Sequence, residues 1–404
     1  MLSKTLKSKN FWKYGGPIDI EFVIKITERC NLACDYCYFF FGGDESYKEH
    51  PAVFPKANAN ALVSFLEQAS KELNLGKVSI ILHGGEPMLA PVRRVRDLCD
   101  SIVSAIGDSC NLDFGIQTNA TLVNDDWIKL FSDFKFDIGV SLDGPKDVND
   151  QHRVDHNGNG SYDKVIEGLN QLKQAHSEGL ISGVALIHVI NKDVDTKRVY
   201  NHLVKELGFH YSQFLLPDKH HGNFDPNDAE GYKESLLNLY EAWACDETDN
   251  RIRFFSSRIE KLKTSAFVKN NIMQTVTSRR LVLSIGSDGN IGPDDSIRSA
   301  SPDFIAMGLN IKKDTLLDVL LCEHLHVILE RNHRPPKNCA GCDFENVCRG
   351  GTELITTFDP TLEANPFDGK SVYCEAYYAL HEQMISDVLK AGMPESTVED
   401  ALGV

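Results

Sequence analysis

No stretch of this chain is apolar for long enough to cross a bilayer; the longest runs, such as Val78–Leu82, are strand-sized. Positive charge is also in deficit. Lys+Arg number 42 against 58 Asp+Glu, a net charge of −16, and no Lys/Arg-dense stripe offsets it. Such a chain repels phosphate backbones and anionic headgroups, so neither nucleic acid nor membrane is expected as a partner. The N-terminal MLSKTLKSKNFWKYGG carries lysines without an apolar segment of signal-peptide length, and the expected location is cytoplasmic. Low-complexity segments are missing, as is any internal repeat beyond an alternation of strands and helices. What remains is an ordinary globular composition over 404 residues, enough for two or three domains.

Cysteine is plentiful. Eleven of them, several at tight spacing in a chain expected to be cytosolic, point to metal sites rather than disulfides. Cys30, Cys34 and Cys37 form CxxxCxxC within CNLACDYC, just after the alternating segment Glu21–Ile26. Thiolates are the usual ligands of iron–sulfur clusters, and three of them leave one iron of a four-iron cluster open for chemistry. The alternative is three small apolar core residues, which the charged neighbours Arg29 and Asp35 argue against.

From Glu21 to about Leu216, β-branched segments alternate with helical periodicity. The expected strands are Glu21–Ile26, Val78–Leu82, Leu112–Gln117, Phe136–Leu142, Gly183–Val189 and Tyr211–Leu216. Apolar stripes such as Leu62, Phe65, Leu66, Ala69 and Leu73 read as helix faces packed on a core. Six βα units predict an α/β fold, a partial (β/α)6 barrel with helices outside. The expected organisation is an N-terminal extension (1–20), the barrel (21–225), a bridging helical segment (226–280), a cysteine-bearing second domain (281–375) and a C-terminal helix and tail (376–404).

Four distinctive loops follow successive strands: CNLACDYC, HGGEP (His83–Pro87), QTNA (Gln117–Ala120) and SLDGP (Ser141–Pro145). In a parallel barrel the C-terminal strand ends share one face, so these loops converge on one pocket. Gly84 and Gly85 would let backbone approach a ligand, and Glu86 could accept from an ammonium; an ordinary turn is the other reading. Gln117 and Asn119 suit ribose hydroxyls or a carboxylate, or else cap a helix, and Ser141 and Asp143 allow the same two readings. Arg153 could clamp a carboxylate or be a solvated loop arginine. His220 and His221 are adjacent, which disfavours one shared metal and favours a substrate-contacting or exposed loop.

CxxxCxxC followed by GGEP, QTN, SLDGP and a nearby His-Arg pair resembles the radical S-adenosylmethionine (SAM) superfamily. The resemblance implies that Cys30, Cys34 and Cys37 hold a 4Fe–4S cluster whose open iron binds SAM. It places Tyr36 near the adenine, Gly84, Gly85 and Glu86 at the methionine amino group, and Ser141 and Arg153 at ribose or carboxylate.

Downstream, Cys339, Cys342, Cys348 and Cys374 could by spacing hold either zinc or an iron–sulfur cluster. Below a radical SAM core, this pattern resembles the SPASM domain of peptide-modifying enzymes, which normally carries seven cysteines and two auxiliary clusters. Here Gly289 leads to Asp294 and Thr352 stands where further cysteines would be. The ligands of one auxiliary cluster are thus missing and those of the other, a second 4Fe–4S, present. Asp295, beside the lost position, is either a substrate-facing proton acceptor or a turn residue.

The resemblance implies reductive cleavage of SAM to a 5′-deoxyadenosyl radical that abstracts hydrogen from a precursor peptide, with flavodoxin or ferredoxin as electron donor. Among peptide maturases the pattern looks most like those forming carbon–carbon crosslinks (cyclophanes). Thioether formation and formylglycine formation in sulfatases are the alternatives, and a non-catalytic iron–sulfur redox protein is a distant one.

Overall fold

A computed structural model describes residues 16–248, 250–263, 281–351 and 353–404; the first part of the expected extension, the end of the bridging segment and Thr352 lie outside the described residues. The chain divides into two compact units. One comprises residues 1–141, 152–184 and 270–330, the other 142–151, 185–269 and 331–404.

The first unit holds β1 (Ile18–Thr27), β2 (Leu75–Gly84), β3 (Asn111–Thr118) and β4 (Asp137–Ser141). All of the four named strand expectations here are met to within a few residues. Their neighbours pair in parallel. In β1 the residues Ile18, Ile20, Phe22, Ile24 and Ile26 are buried on one face, at roughly 1.5–3 kcal/mol for each large apolar side chain. That face meets the helix Lys56–Glu72 through Leu62, Phe65 and Leu66, with the Phe22 and Phe65 rings 6.2 Å apart, edge to face.

The period of two sends the alternate residues to the other face. Register pairs Lys25 with His83, Ile81 with Gly115, and Gln117 with Gly139. Lys25, His83, Gln117 and Ser141 therefore lie on one face at the C-terminal ends of successive strands. A continuous helix-covered apolar face and a polar opposite face are what position the site.

The texture change expected at 281 does not begin a separate body. The strand β8 (Leu281–Ile285) pairs in parallel with β1, because Leu281, Leu283 and Ile285 continue the same apolar alternation. It is followed by antiparallel β9 (Asn290–Gly292) and β10 (Leu309–Asn310).

In the second unit, β5 (Val184–Val189, all but its first residue), β6 (Tyr211–Leu215) and β7 (Arg251–Ile252) are parallel neighbours. The helices Ala229–Ala244 and Arg253–Leu262 fill the described part of the bridging segment. The expected C-terminal helix runs Cys374–Lys390, and the segment read as a polar tail forms another helix, Glu395–Leu402. Its Ala401 joins Leu262, Phe344 and Val347 in a small core that also packs Cys342 and Cys348. Three apolar residues in eight, Val398, Ala401 and Leu402, were too sparse a periodic signal to announce that helix.

Candidate active site

The cysteine loop leaves β1 at Thr27. The Cys37 amide donates to the Cys34 carbonyl at 3.1 Å, and Cys37 precedes the short helix Tyr38–Phe41. The segment after Arg153 braces the loop from outside. Ala33 donates to the Val154 carbonyl at 2.7 Å, and the His156 ring bonds the Cys30 carbonyl at 2.8 Å.

HGGEP braces it from within. The Gly85 amide donates to the Thr27 carbonyl at 3.0 Å, and the Glu86 amide to the Arg29 carbonyl at 2.9 Å. A Cβ on Gly84 would lie 1.8 Å from the Thr27 oxygen, and one on Gly85 2.1 Å from the Arg29 oxygen. Gly84 also has φ +136. Both glycines are thus required for packing against the cysteine loop, a role distinct from the ligand approach expected of them.

Glu86 is 1% exposed. One of its oxygens accepts from the Met88 amide (2.9 Å) and the Thr118 hydroxyl (2.7 Å), the other from the Asn119 amide (2.8 Å). Burial pushes this carboxyl up against those hydrogen bonds. It ties the second loop to the third, and three of about four acceptor directions are used. Asn119 in turn donates to Asn31 at 2.9 Å, inside the cysteine motif. Gln117 donates to the Ser141 hydroxyl at 3.0 Å, and Arg153 to the Tyr36 hydroxyl at 2.8 Å. The expected residues Cys30, Cys34, Cys37, Tyr36, Gly84, Gly85, Glu86, Gln117, Asn119, Ser141 and Arg153 therefore all stand in one unit, linked loop to loop.

Asp295 belongs to the same unit and is buried. Its carboxylate forms an ion pair with Lys25 and accepts from the Tyr38 hydroxyl at 3.1 Å. Burial would raise its carboxyl, but the Lys25 charge outweighs this and holds it well below the usual range. Lys25 Nζ lies 3.2 Å from His83 Nδ1 and 4.8 Å from the Phe39 ring centroid. Since Nδ1 also accepts the Gly84 amide at 2.8 Å, the proton of His83 sits on Nε2. Burial and the adjacent lysine depress the imidazole to about 3, so it is neutral. Sequence reasoning missed Lys25, His83 and Tyr38; the available signal was a lysine on the polar face of a strand one turn before the cysteines.

The donor chemistry fits clusters. Burial, with the charges of Glu86, Cys34 and Cys37, pushes the Cys30 thiol up to about 12. The three thiols lie in a half-buried loop, and binding to iron is what would ionise them. In the second unit Cys339 is likewise pushed up to about 12, by burial and by Cys348, Cys374 and Cys342. Among the described residues, no group of three or more His, Cys, Asp or Glu side chains is arranged to hold one metal ion. A four-iron cluster spreads its thiolates over separate irons, so its ligands stand further apart than those of zinc. His220 is buried against the Phe358 ring, and His221 bonds the Lys370 carbonyl at 2.7 Å, so the pair makes loop contacts.

Residues 24–199 match the Radical SAM superfamily. The protein is an enzyme whose residues 24–199 are similar to that superfamily, a class that uses a 4Fe–4S cluster and SAM. Among its relatives is the cysteine-type anaerobic sulfatase-maturating enzyme of Clostridium novyi, 25% identical over 89% of this chain and 93% of the relative. The serine-type enzyme of Bacteroides thetaiotaomicron is 24% identical over 92% and 91%. In fold the chain is similar to anSMEcpe with bound AdoMet and Cp18Cys peptide (TM-score 0.74, 21% identity, 92% of this chain and 98% of that one). It is also similar to Streptococcus suis SuiB bound to S-adenosylmethionine (TM-score 0.52, 17% identity, 87% and 73%).

Proposed function

We propose that this enzyme modifies a ribosomally made precursor peptide in the cytoplasm, joining two of its side chains by a carbon–carbon bond. Cys30, Cys34 and Cys37 would hold the reactive cluster, and Cys339, Cys342, Cys348 and Cys374 a second, auxiliary one. When bound, the cluster and SAM would supply a 5′-deoxyadenosyl radical, with flavodoxin or ferredoxin as the kind of electron donor. Tyr36, oriented by Arg153, would face the adenine. Gly84, Gly85 and Glu86 would border the methionine end, with Gln117, Asn119, Ser141 and Arg153 at the ribose and carboxylate.

The observation carrying this reading is the ion pair of Asp295 with Lys25, beside the lost cysteine position. Where one auxiliary cluster would be ligated, the chain has exposed Asp294 followed by buried Asp295 on Lys25. A carboxylate held this low is a weak base. It suits a strongly acidic proton, such as the one lost from an aromatic ring newly bonded at a radical centre, whose extra electron the auxiliary cluster would accept, better than the proton of a neutral thiol or hydroxyl. The names of the relatives favour a second reading, formylglycine formation from cysteine or serine in a sulfatase.

The test is co-expression with short peptides encoded beside the gene, followed by high-resolution mass and aldehyde trapping. A loss of two hydrogens, no aldehyde, and a fragmentation-resistant ring bonded through carbon support the crosslink. Sulfur attachment supports a thioether instead, and an aldehyde on a sulfatase peptide would make this a sulfatase-maturing enzyme.

A further inference from the structure

The second unit contains a buried cation with no anion assigned to it. Arg258, on the helix Arg253–Leu262, is 4% exposed. Its guanidinium carbon lies 3.7 Å from the Phe254 ring centroid and 5.2 Å from that of Tyr377. Its Nη1 donates to the Phe254 carbonyl at 2.7 Å. Ring faces and one carbonyl orient a guanidinium without neutralising it. Among the described residues no carboxylate forms an ion pair with Arg258; Glu353 instead accepts from the Tyr377 hydroxyl at 3.3 Å. An isolated buried charge is strongly unfavourable, so a counter-charge is required.

The groups around it point to the cysteines. The Tyr377 ring covers Gly351, where a Cβ would lie 2.7 Å from it. Gly351 ends a run of left-handed backbone, Arg349 (φ 56), Gly350 (φ 82) and Gly351 (φ 94). That run follows Cys348 directly, and the Gly351 amide donates to the Cys348 carbonyl at 3.1 Å. The helix that carries Arg258 packs on Cys342 and Cys348 through Leu262, one turn beyond the arginine. Four neutral thiols cannot balance a cation; four thiolates on an iron–sulfur cluster can.

We infer that Arg258 is the buried counter-charge of an iron–sulfur cluster held by Cys339, Cys342, Cys348 and Cys374, and that it raises the potential of that cluster. This rests on the auxiliary-cluster reading above. A fixed cation beside a cluster stabilises its more negative, reduced state. Such a cluster accepts one electron more readily than the same four cysteines would without the arginine.

The experiment uses the full chain, reconstituted anaerobically, carrying Cys30/Cys34/Cys37→Ala so that only the second cluster remains. Arg258→Gln and Arg258→Lys are compared with this parent by iron content and by redox titration followed by electron paramagnetic resonance. The expected result is about four irons per chain in the parent, a more negative midpoint for Arg258→Gln, and a midpoint near the parent for Arg258→Lys. Loss of iron in the Gln variant with retention in the Lys variant also supports a counter-charge role. Equal midpoints in Gln variant and parent, or iron loss in both variants, overturn the inference while leaving the cluster. A parent without iron overturns the auxiliary-cluster reading and this inference together.

Discussion

Substituting Gly85 by alanine tests whether HGGEP chiefly braces the cysteine loop or chiefly approaches SAM. The new Cβ would lie 2.1 Å from the Arg29 oxygen, 2.4 Å from its carbon and 2.8 Å from the Cys30 nitrogen, all backbone atoms with no rotamer to yield. Restoring an ordinary 3.4 Å contact requires a displacement of about 1.3 Å between the two loops. That movement forfeits the bonds from Gly85 to Thr27 and from Glu86 to Arg29, about 1 kcal/mol each. Overpacking adds roughly 1–3 kcal/mol, for a local cost of about 3–5 kcal/mol carried by the segment that presents Cys30. Iron and sulfide after anaerobic reconstitution should fall from about eight to about four per chain. Gly392→Ala, at φ +95 with open space around it, should leave iron unchanged and cost only about 1–2 kcal/mol of backbone strain. If Gly85→Ala instead keeps all its iron and loses only SAM affinity, measured by equilibrium dialysis, the bracing argument is wrong.

Further consequences can be measured on the same protein. Lys25→Met should destabilise the first unit by about 3–5 kcal/mol, because it strands a buried carboxylate, and Asp295→Asn in the same chain should recover most of that; urea unfolding of the single and double variants reads the coupling, and simple addition of the two costs would refute it. Replacing Cys30, Cys34 and Cys37 by alanine should leave about four of about eight irons and abolish 5′-deoxyadenosine production, whereas about one zinc and no iron would mean the second cysteine set is a zinc site. Asp246 is held down at about 2, chiefly by the Tyr200 hydroxyl at 2.7 Å. With its folded value below the ordinary 3.8, its contribution is present above pH 3.8 and lost as pH falls through about 2. Asp246→Asn should therefore lower the unfolding midpoint at pH 7, with the difference from wild type closing in strong acid; a constant difference would count against the carboxylate.

Much of this protein was determined by local pattern. The period of two in Ile18–Ile26 and its counterparts fixes which face of each strand is apolar. Parallel strand order then brings CNLACDYC, HGGEP, QTNA and SLDGP to neighbouring strand ends, so the cysteine triplet and its companions were legible as one site. Tertiary structure decided what spacing cannot encode. The roles of Gly84 and Gly85 depend on how closely two loops approach, and the state of Asp295 on a lysine 270 positions earlier in the chain. The membership of Leu281–Ile285 in the first sheet rests on long-range register with β1. The meaning of Arg258 comes from the Tyr377 ring beside it and from a helix packed on Cys342 and Cys348, since burial and charge compensation are properties of a packed neighbourhood and not of a residue's place in the sequence.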